Sequence, residues 1–210
     1  MKATAVPILM GLAILSGCLG HTSPGAVVRD PVLKAELVQR IRQVHVTNAV
    51  FHTLIQWPGR EVSLVEIVKV LDGGGLSVAG LTDMGNTLYA VHIPAQGRAE
   101  VLTRHLPLSE AWLVEGLMAG LLIPWRVPDD SAQVRQQPDG TWALSREQGR
   151  TTLSYLLDEA GQWHTVDCFS GSRRVSRTRV EWDGRGVPVK METQDVRYHF
   201  VAVRERVTCD

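Results

Sequence analysis

The sequence predicts an α+β fold, an antiparallel β-sheet carrying an N-terminal helix and a central apolar helix. Three observations lead there. Short β-branched apolar segments recur at even intervals with turn signals between them, one early segment has helical spacing, and one mid-chain segment is apolar on nearly all sides. Strands joined by such short connections must be antiparallel, because a parallel pair needs a crossover of about a dozen residues.

The chain opens with Met1-Lys2 and an apolar run from Ala3 to Ser16, the order of a secretory signal. The run is too short for a permanent span, which takes about 20 apolar residues. It ends in Leu15-Ser16-Gly17-Cys18. A Cys after Leu-Ser-Gly resembles the lipobox of bacterial lipoproteins, which implies a signal peptide over 1–17, cleavage before Cys18 and acylation of its thiol. Leu19 is not Asp, which in the sorting rule for such signals implies the outer membrane. The expected location is therefore the periplasmic face of the outer membrane, through an N-terminal lipid anchor.

Residues 18–29 contain Gly20, Ser23, Pro24 and Gly25 with no helical or strand period, and read as a lipidated tether. Extended, about eleven residues reach roughly 35 Å. A single domain is expected over 30–210. Asp30 can cap a helix whose first turn holds Pro31, and Leu33, Leu37, Ile41 and Val44 recur at spacings of three and four. That amphipathic helix is expected to end near His45 to Asn48.

The first group of strands is expected at Ala49 to Trp57, Val62 to Leu71, Leu76 to Thr82, Thr87 to Ile93 and Ala99 to His105. Pro58-Gly59, Asp72-Gly73-Gly74-Gly75, Asp83-Met84-Gly85-Asn86 and Pro94-Ala95-Gln96-Gly97 supply its turns. The second group is expected at Thr141 to Leu144, Thr151 to Leu157, Gln162 to Phe169, Arg173 to Trp182, Val187 to Glu192 and Arg197 to Val207. Between the groups, Leu108 to Ile123 has Ser109 to cap it and Pro124 to stop it, and its charges are Glu110 and Glu115. A helix this apolar is buried on several sides or covers an apolar surface. It is read either as a core helix or as a lid over a cavity, with Trp112 and Trp125 flanking it and Leu113, Leu117 and Leu121 along it.

The chain has 22 basic and 22 acidic side chains, and the signal removes one lysine and no acid. Nucleic-acid binding relies on a cationic surplus, so this balance argues against such a partner. Local basic surplus falls at Arg173, Arg174, Arg177 and Arg179. On a strand, Arg173, Arg177 and Arg179 would share a face with Glu181, while Ser176, Thr178, Val180 and Trp182 take the other. That basic face is a solvated surface or a contact for anionic headgroups. Apart from Cys18, the cysteines are Cys168 and Cys209, read as either a disulfide fixing the last strand or two separate thiols.

Catalytic readings fail on spacing. Gly75-Leu76-Ser77-Val78-Ala79-Gly80 brings its second glycine one residue too late for a nucleophile elbow, and Ser77 falls within a strand. On a strand, His164 and Cys168 stand roughly 13 Å apart, too far for one zinc ion. Asp129-Asp130 and Asp158-Glu159 fall at turns, where acids serve the backbone. No enzyme activity, metal or cofactor is expected. Glu66 alternates with Val62, Leu64, Val68 and Val70, one carboxylate on an apolar face. Either that face or its strand is peripheral, or Glu66 needs a hydrogen-bonding or cationic partner and acts as a polar contact inside a cavity. The six tryptophans suit a core and equally an apolar pocket.

The order of lipobox, tether, amphipathic helix, antiparallel strands, apolar helix and further strands resembles the LolA and LolB lipoprotein carriers. The stretch from Gly75 to Leu88, and Leu106-Pro107 to Pro124-Trp125, resemble more specifically a family of outer-membrane lipoproteins often encoded beside aryl polyene synthesis genes. These resemblances imply a curved, incomplete β-barrel whose helices cover an apolar cavity. They imply an acyl or polyene ligand and a periplasmic carrier protein as partners, with Trp112, Leu113, Leu117, Leu121, Trp125 and Glu66 at the cavity or its lid. Were the three leucines to fill the concavity, an envelope scaffold with a protein partner would follow instead.

Overall fold

The computed structural model describes residues 25–42, 48–95, 98–121, 131–148, 151–159 and 161–207. These residues form one curved, unclosed antiparallel sheet of 13 strands with two short helices. The first meander comprises β2 (Asn48–Trp57), β3 (Arg60–Val70), β4 (Leu76–Leu81), β5 (Thr87–Ile93) and β6 (Glu100–Arg104). The second comprises β7 (Gln133–Gln136), β8 (Trp142–Gln148), β9 (Thr151–Leu157), β10 (Trp163–Ser170), β11 (Arg173–Trp182), β12 (Pro188–Asp195) and β13 (Phe200–Arg206). Within each meander every strand pairs with its neighbour in sequence, and β13 pairs with β2, which joins the two meanders.

Period-two patterning decides which face is covered. In β3, Leu64, Glu66 and Val68 are buried while Ser63, Ile67 and Lys69 are exposed. In β13, Phe200, Ala202 and Arg204 are buried, again every second residue. The expected inward face of β11 is also found, with Ser176, Thr178 and Val180 buried. At its start the register changes: Cys168 pairs with Ser176 and Phe169 with Arg174, so Val175 is an extra residue. This shift brings Arg174 to 4.0 Å from Asp167, alongside Arg177. Sequence alternation had assigned that neighbouring place to Arg173.

The expected tether is shortened. Ala26 and Val27 form a two-residue strand, β1, paired with β7, so the sheet holds part of the segment read as a linker up to Arg29. β1 and β6 are the two edges of the sheet. The first helix, α1 (Pro31–Arg42), starts as its sequence requires: the Asp30 carboxylate accepts the Val32 N–H at 2.8 Å. Leu37 and Val38 are its buried contacts. The expected extension to His45–Asn48 falls partly on residues outside those described.

Among the described residues the central helix runs over 110–121, starting two residues after the expected Leu108, and its expected end at Ile123 falls on residues outside those described. Ser109 caps it through the Trp112 N–H at 3.1 Å. Its segment Trp112–Met118 is π-helical and continues as α over Ala119–Leu121. Leu113, Leu117, Met118 and Leu121 are wholly buried. Close approach to the sheet is possible because Gly116 and Gly120, one turn apart, lack side chains. A Cβ on Gly120 would stand 2.4 Å from Thr193 Cγ2, and one on Gly116 2.9 Å from Tyr198 Cδ2. No helix among the described residues is long and apolar enough to cross a membrane.

Thr193 is β-branched and buried, so it cannot swing away from a new methyl group. Gly120→Ala is expected to cost about 1–3 kcal/mol through overpacking. Urea unfolding followed by circular dichroism measures it; an unchanged midpoint would mean that the helix does not sit against β12.

Candidate functional site

The covered face carries a polar cluster in an apolar surround. Glu66 on β3 and Arg204 on β13 flank β2 and are both wholly buried, and Arg204 Nε donates to Glu66 Oε2 at 2.6 Å. Thr53 on β2 donates its hydroxyl to the same oxygen at 2.7 Å, and Tyr89 on β5 donates to Oε1. A row of three strands explains how Tyr89 reaches so far. Glu66 stands opposite Gly80, and Gly80 opposite Tyr89. A Cβ on Gly80 would lie 2.3 Å from Tyr89 Cε1, so the bare glycine lets the ring lie across β4 toward the carboxylate.

The remaining guanidinium nitrogens of Arg204 turn toward β12 and the central helix. Nη1 donates to Thr193 Oγ1 and Nη2 to the Leu117 carbonyl, each at 3.3 Å. Thr193 Oγ1 also lies 3.2 Å from Thr178 Oγ1. The central helix is therefore bound to the sheet at a buried cation as well as through its leucines.

A second attachment lies at the start of the helix. Asp195 closes the β12–β13 turn by accepting the Arg197 N–H at 2.8 Å and pairing with Arg197 Nη2 at 2.6 Å. Arg197 then donates to the Glu115 carbonyl at 2.9 Å, and the Tyr198 hydroxyl donates to Glu115 Oε2 at 3.2 Å. Trp112 packs on Phe200 with centroids 4.7 Å apart and on Trp57 at 6.1 Å. Outside this cluster, Trp57, Pro58, Val196, His199 and Phe200 line a groove of about 390 Å³.

Of the residues expected at the site, Trp112, Leu113, Leu117, Leu121 and Glu66 gather at the covered face. Leu113, Leu117 and Leu121 have 0% exposure, so they border no water-sized space. Trp125, Cys18 and Cys209 lie outside the described residues. Of the three arginines expected on the open face, Arg177 is held by Asp167 through two bonds of 2.7 Å. Arg173 is exposed, and Arg179 stands 4.0 Å from Glu192.

The pairing Cys168 to Ser176, Ser176 to Asp195 and Asp195 to Phe200 sets Cys168 level with the start of β13. Val207 lies about 23 Å farther along the strand direction. The expected Cys168–Cys209 bridge falls on a residue outside those described. Burial pushes the Cys168 thiol up from its ordinary pKa, which keeps it protonated and a weak nucleophile. Among the described residues no group of three or more His, Cys, Asp or Glu side chains could hold a metal ion.

Sequence reasoning recognised that an inward Glu66 would need a partner and did not find Arg204. The signal was present: Arg204 alternates with Phe200 and Ala202, as Glu66 does with Leu64 and Val68. Gly116 and Gly120 were also missed, although their spacing of four marks one face of the apolar helix.

With this geometry in place, the comparisons define the fold. No family model matches the chain, and no curated protein matches it in sequence. Among solved structures, a DUF1329 family protein from Desulfovibrio piger is similar over 85% of this chain and 92% of its own, with 15% identity and a TM-score of 0.53. A Vibrio parahaemolyticus domain assigned to outer membrane lipoprotein sorting is similar over 85% and 92%, with 8% identity and a TM-score of 0.52. A LolA superfamily protein from Nitrosomonas europaea aligns over 83% and 91%, at 10% identity and a TM-score of 0.49. The likeness is one of fold: the chain has the LolA/LolB-like architecture that its order of elements predicts.

Two expectations follow from the cluster. Removing one partner of a buried pair strands the other charge, so Arg204→Met is expected to destabilise by about 3–5 kcal/mol, and Glu66→Gln/Arg204→Met to recover most of that loss. Chemical denaturation of the three proteins measures both. Burial first, and the Glu66 charge second, hold the Tyr89 phenol well above its ordinary pKa of 10.0. Because the folded value is the higher one, its contribution is intact below pH ~10 and is lost as pH rises further. Alkaline unfolding monitored by circular dichroism should be less steep in Tyr89→Phe; identical alkaline slopes would remove Tyr89 as the cause.

Proposed function

We propose that this chain is a non-enzymatic outer-membrane lipoprotein that holds an acyl or polyene chain on the covered face of its sheet and releases it to the membrane. In this reading 1–17 is a signal peptide, Cys18 carries the lipid anchor, the segment that follows is a tether as far as β1, and 30–210 is the carrier domain. The observation that carries it is the apolar central helix seated on an open sheet, with Leu113, Leu117 and Leu121 where a chain would lie. The fold shared with a domain assigned to lipoprotein sorting supports it.

Since the three leucines border no open space, cargo must displace the helix. The magnitudes allow this. Burial of three leucine side chains is worth about 5–9 kcal/mol, and a dozen methylenes supply about 10 kcal/mol at ~0.8 each. The chain's contribution is therefore of the same order as that of the leucines it replaces, before the Met118 and Trp112 contacts, the helix's hydrogen bonds and the entropy of binding are counted. The π-helical segment favours the same reading, because π turns are rare and recur at functional sites. Met84, 87% exposed on the β4–β5 turn, and Val196 lie at the same end as the groove and would enter a lipid surface. Arg173 and Arg179 would meet anionic headgroups there, while Arg177 serves chiefly to hold Asp167.

The full leucine burial also favours the scaffold reading, in which the helix never leaves and the partner is a periplasmic protein. One experiment separates them. Protein isolated without denaturant should carry lipid detectable by mass spectrometry and should bind a fluorescent fatty acid saturably. Folded protein that retains no lipid and binds none leaves the scaffold.

A further inference from the structure

We propose that Arg204 recognises the carbonyl group of the cargo, so that the protein selects acyl esters and amides over plain hydrocarbon chains. This rests on the carrier reading and adds a specificity determinant to it.

The donors define the chemistry. Arg204 Nε is committed to Glu66 at 2.6 Å, and Glu66 accepts from Thr53 and Tyr89 as well. Nη1 turns toward Thr193 on β12 and Nη2 toward the helix, and both of their bonds are 3.3 Å, longer than the usual 2.9–3.0 Å. One acceptor is the Leu117 carbonyl, which belongs to the π-helical segment and departs with the helix when cargo enters. A methylene chain in its place would leave a donor of a wholly buried arginine without a partner, the costly outcome in a dry interior. An ester or amide carbonyl is the same kind of acceptor as the peptide group it replaces, so it restores the bond.

Charge excludes the nearest alternative. Glu66 already balances Arg204, and a carboxylate seated on Nη2 would add a second negative charge a few ångströms from the first. A neutral carbonyl adds none. The hydroxyls of Thr193 and Thr178 continue the polar strip across β12 and β11, and the buried Phe51, Leu64 and Met191 offer apolar surface for the chain on the same covered face.

The test compares methyl palmitate, octadecane and sodium palmitate, each delivered from cyclodextrin, as competitors of a pyrene-labelled fatty ester bound to the full-length protein. Methyl palmitate should compete at about tenfold lower concentration than octadecane, or less, and should also outcompete palmitate. In Glu66→Gln/Arg204→Met, shown folded by its thermal transition, the ester's advantage over octadecane should vanish. Infrared spectra of methyl palmitate labelled with carbon-13 at the carbonyl should show a lower stretching frequency bound to the wild type than to the double variant. Equal competition by ester and alkane, an ester preference that survives in the double variant, or palmitate binding tightest would each overturn carbonyl recognition while leaving the carrier reading standing. Failure of the pyrene ester itself to bind the folded wild type would overturn both.

Discussion

A buried ion pair between Glu66 and Arg204 is the constraint on which the sheet's arrangement depends. Its two residues are 138 positions apart and come from different meanders, on either side of β2. Taking both charges out of water costs several kcal/mol per ion, so the pair adds little net stability. Its effect is on register. A slip of one residue between β13 and β2 would send Arg204 to the solvent face and leave Glu66 buried without a cation. Apolar residues at neighbouring positions would tolerate such a slip less severely. The junction that joins the halves of the molecule is thus fixed by a penalty on every other alignment.

The same cluster draws the central helix and the sheet together. Gly80 gives up a side chain so that Tyr89 can complete the ligation of Glu66, and Gly120 gives up one so that the helix can lie on Thr193. Arg204 then reaches the Leu117 carbonyl. Three positions without side chains, Gly80, Gly116 and Gly120, therefore place one guanidinium between a carboxylate and a helix backbone. Around the polar centre the leucines provide adhesion, and at the helix start Arg197 and Trp112 tie it to the β12–β13 turn. The cover is held by many weak apolar contacts and a few directional ones.

The strands were legible because alternation is a local property: β3, β4, β5, β9 and β11 were readable to within a few residues at their ends. β1 was not, since two residues carry no period, and its partner β7 is itself only Gln133–Gln136. The bulge at Val175 was invisible because it inserts a residue without changing composition, and it altered which arginine stands beside Arg177. The apolar character of the central segment marked a buried helix, but hydropathy does not distinguish π from α winding. Glu66 was legible as a residue in need of a partner. Arg204 was not legible as that partner, because pairing across 138 residues follows from which strands close the sheet, and local pattern does not contain that.

The two edges of the sheet, β1 and β6, are not hydrogen-bonded to each other. In a closed barrel, strand number and stagger fix the radius, and any change of girth breaks interstrand bonds. An open sheet has no such condition. Its curvature can relax by small changes of twist shared over twelve strand pairings, each bond bending slightly and none lost. The sheet is therefore more compliant across its width than along its strands, and its curvature can change without unfolding any part of its backbone ladder.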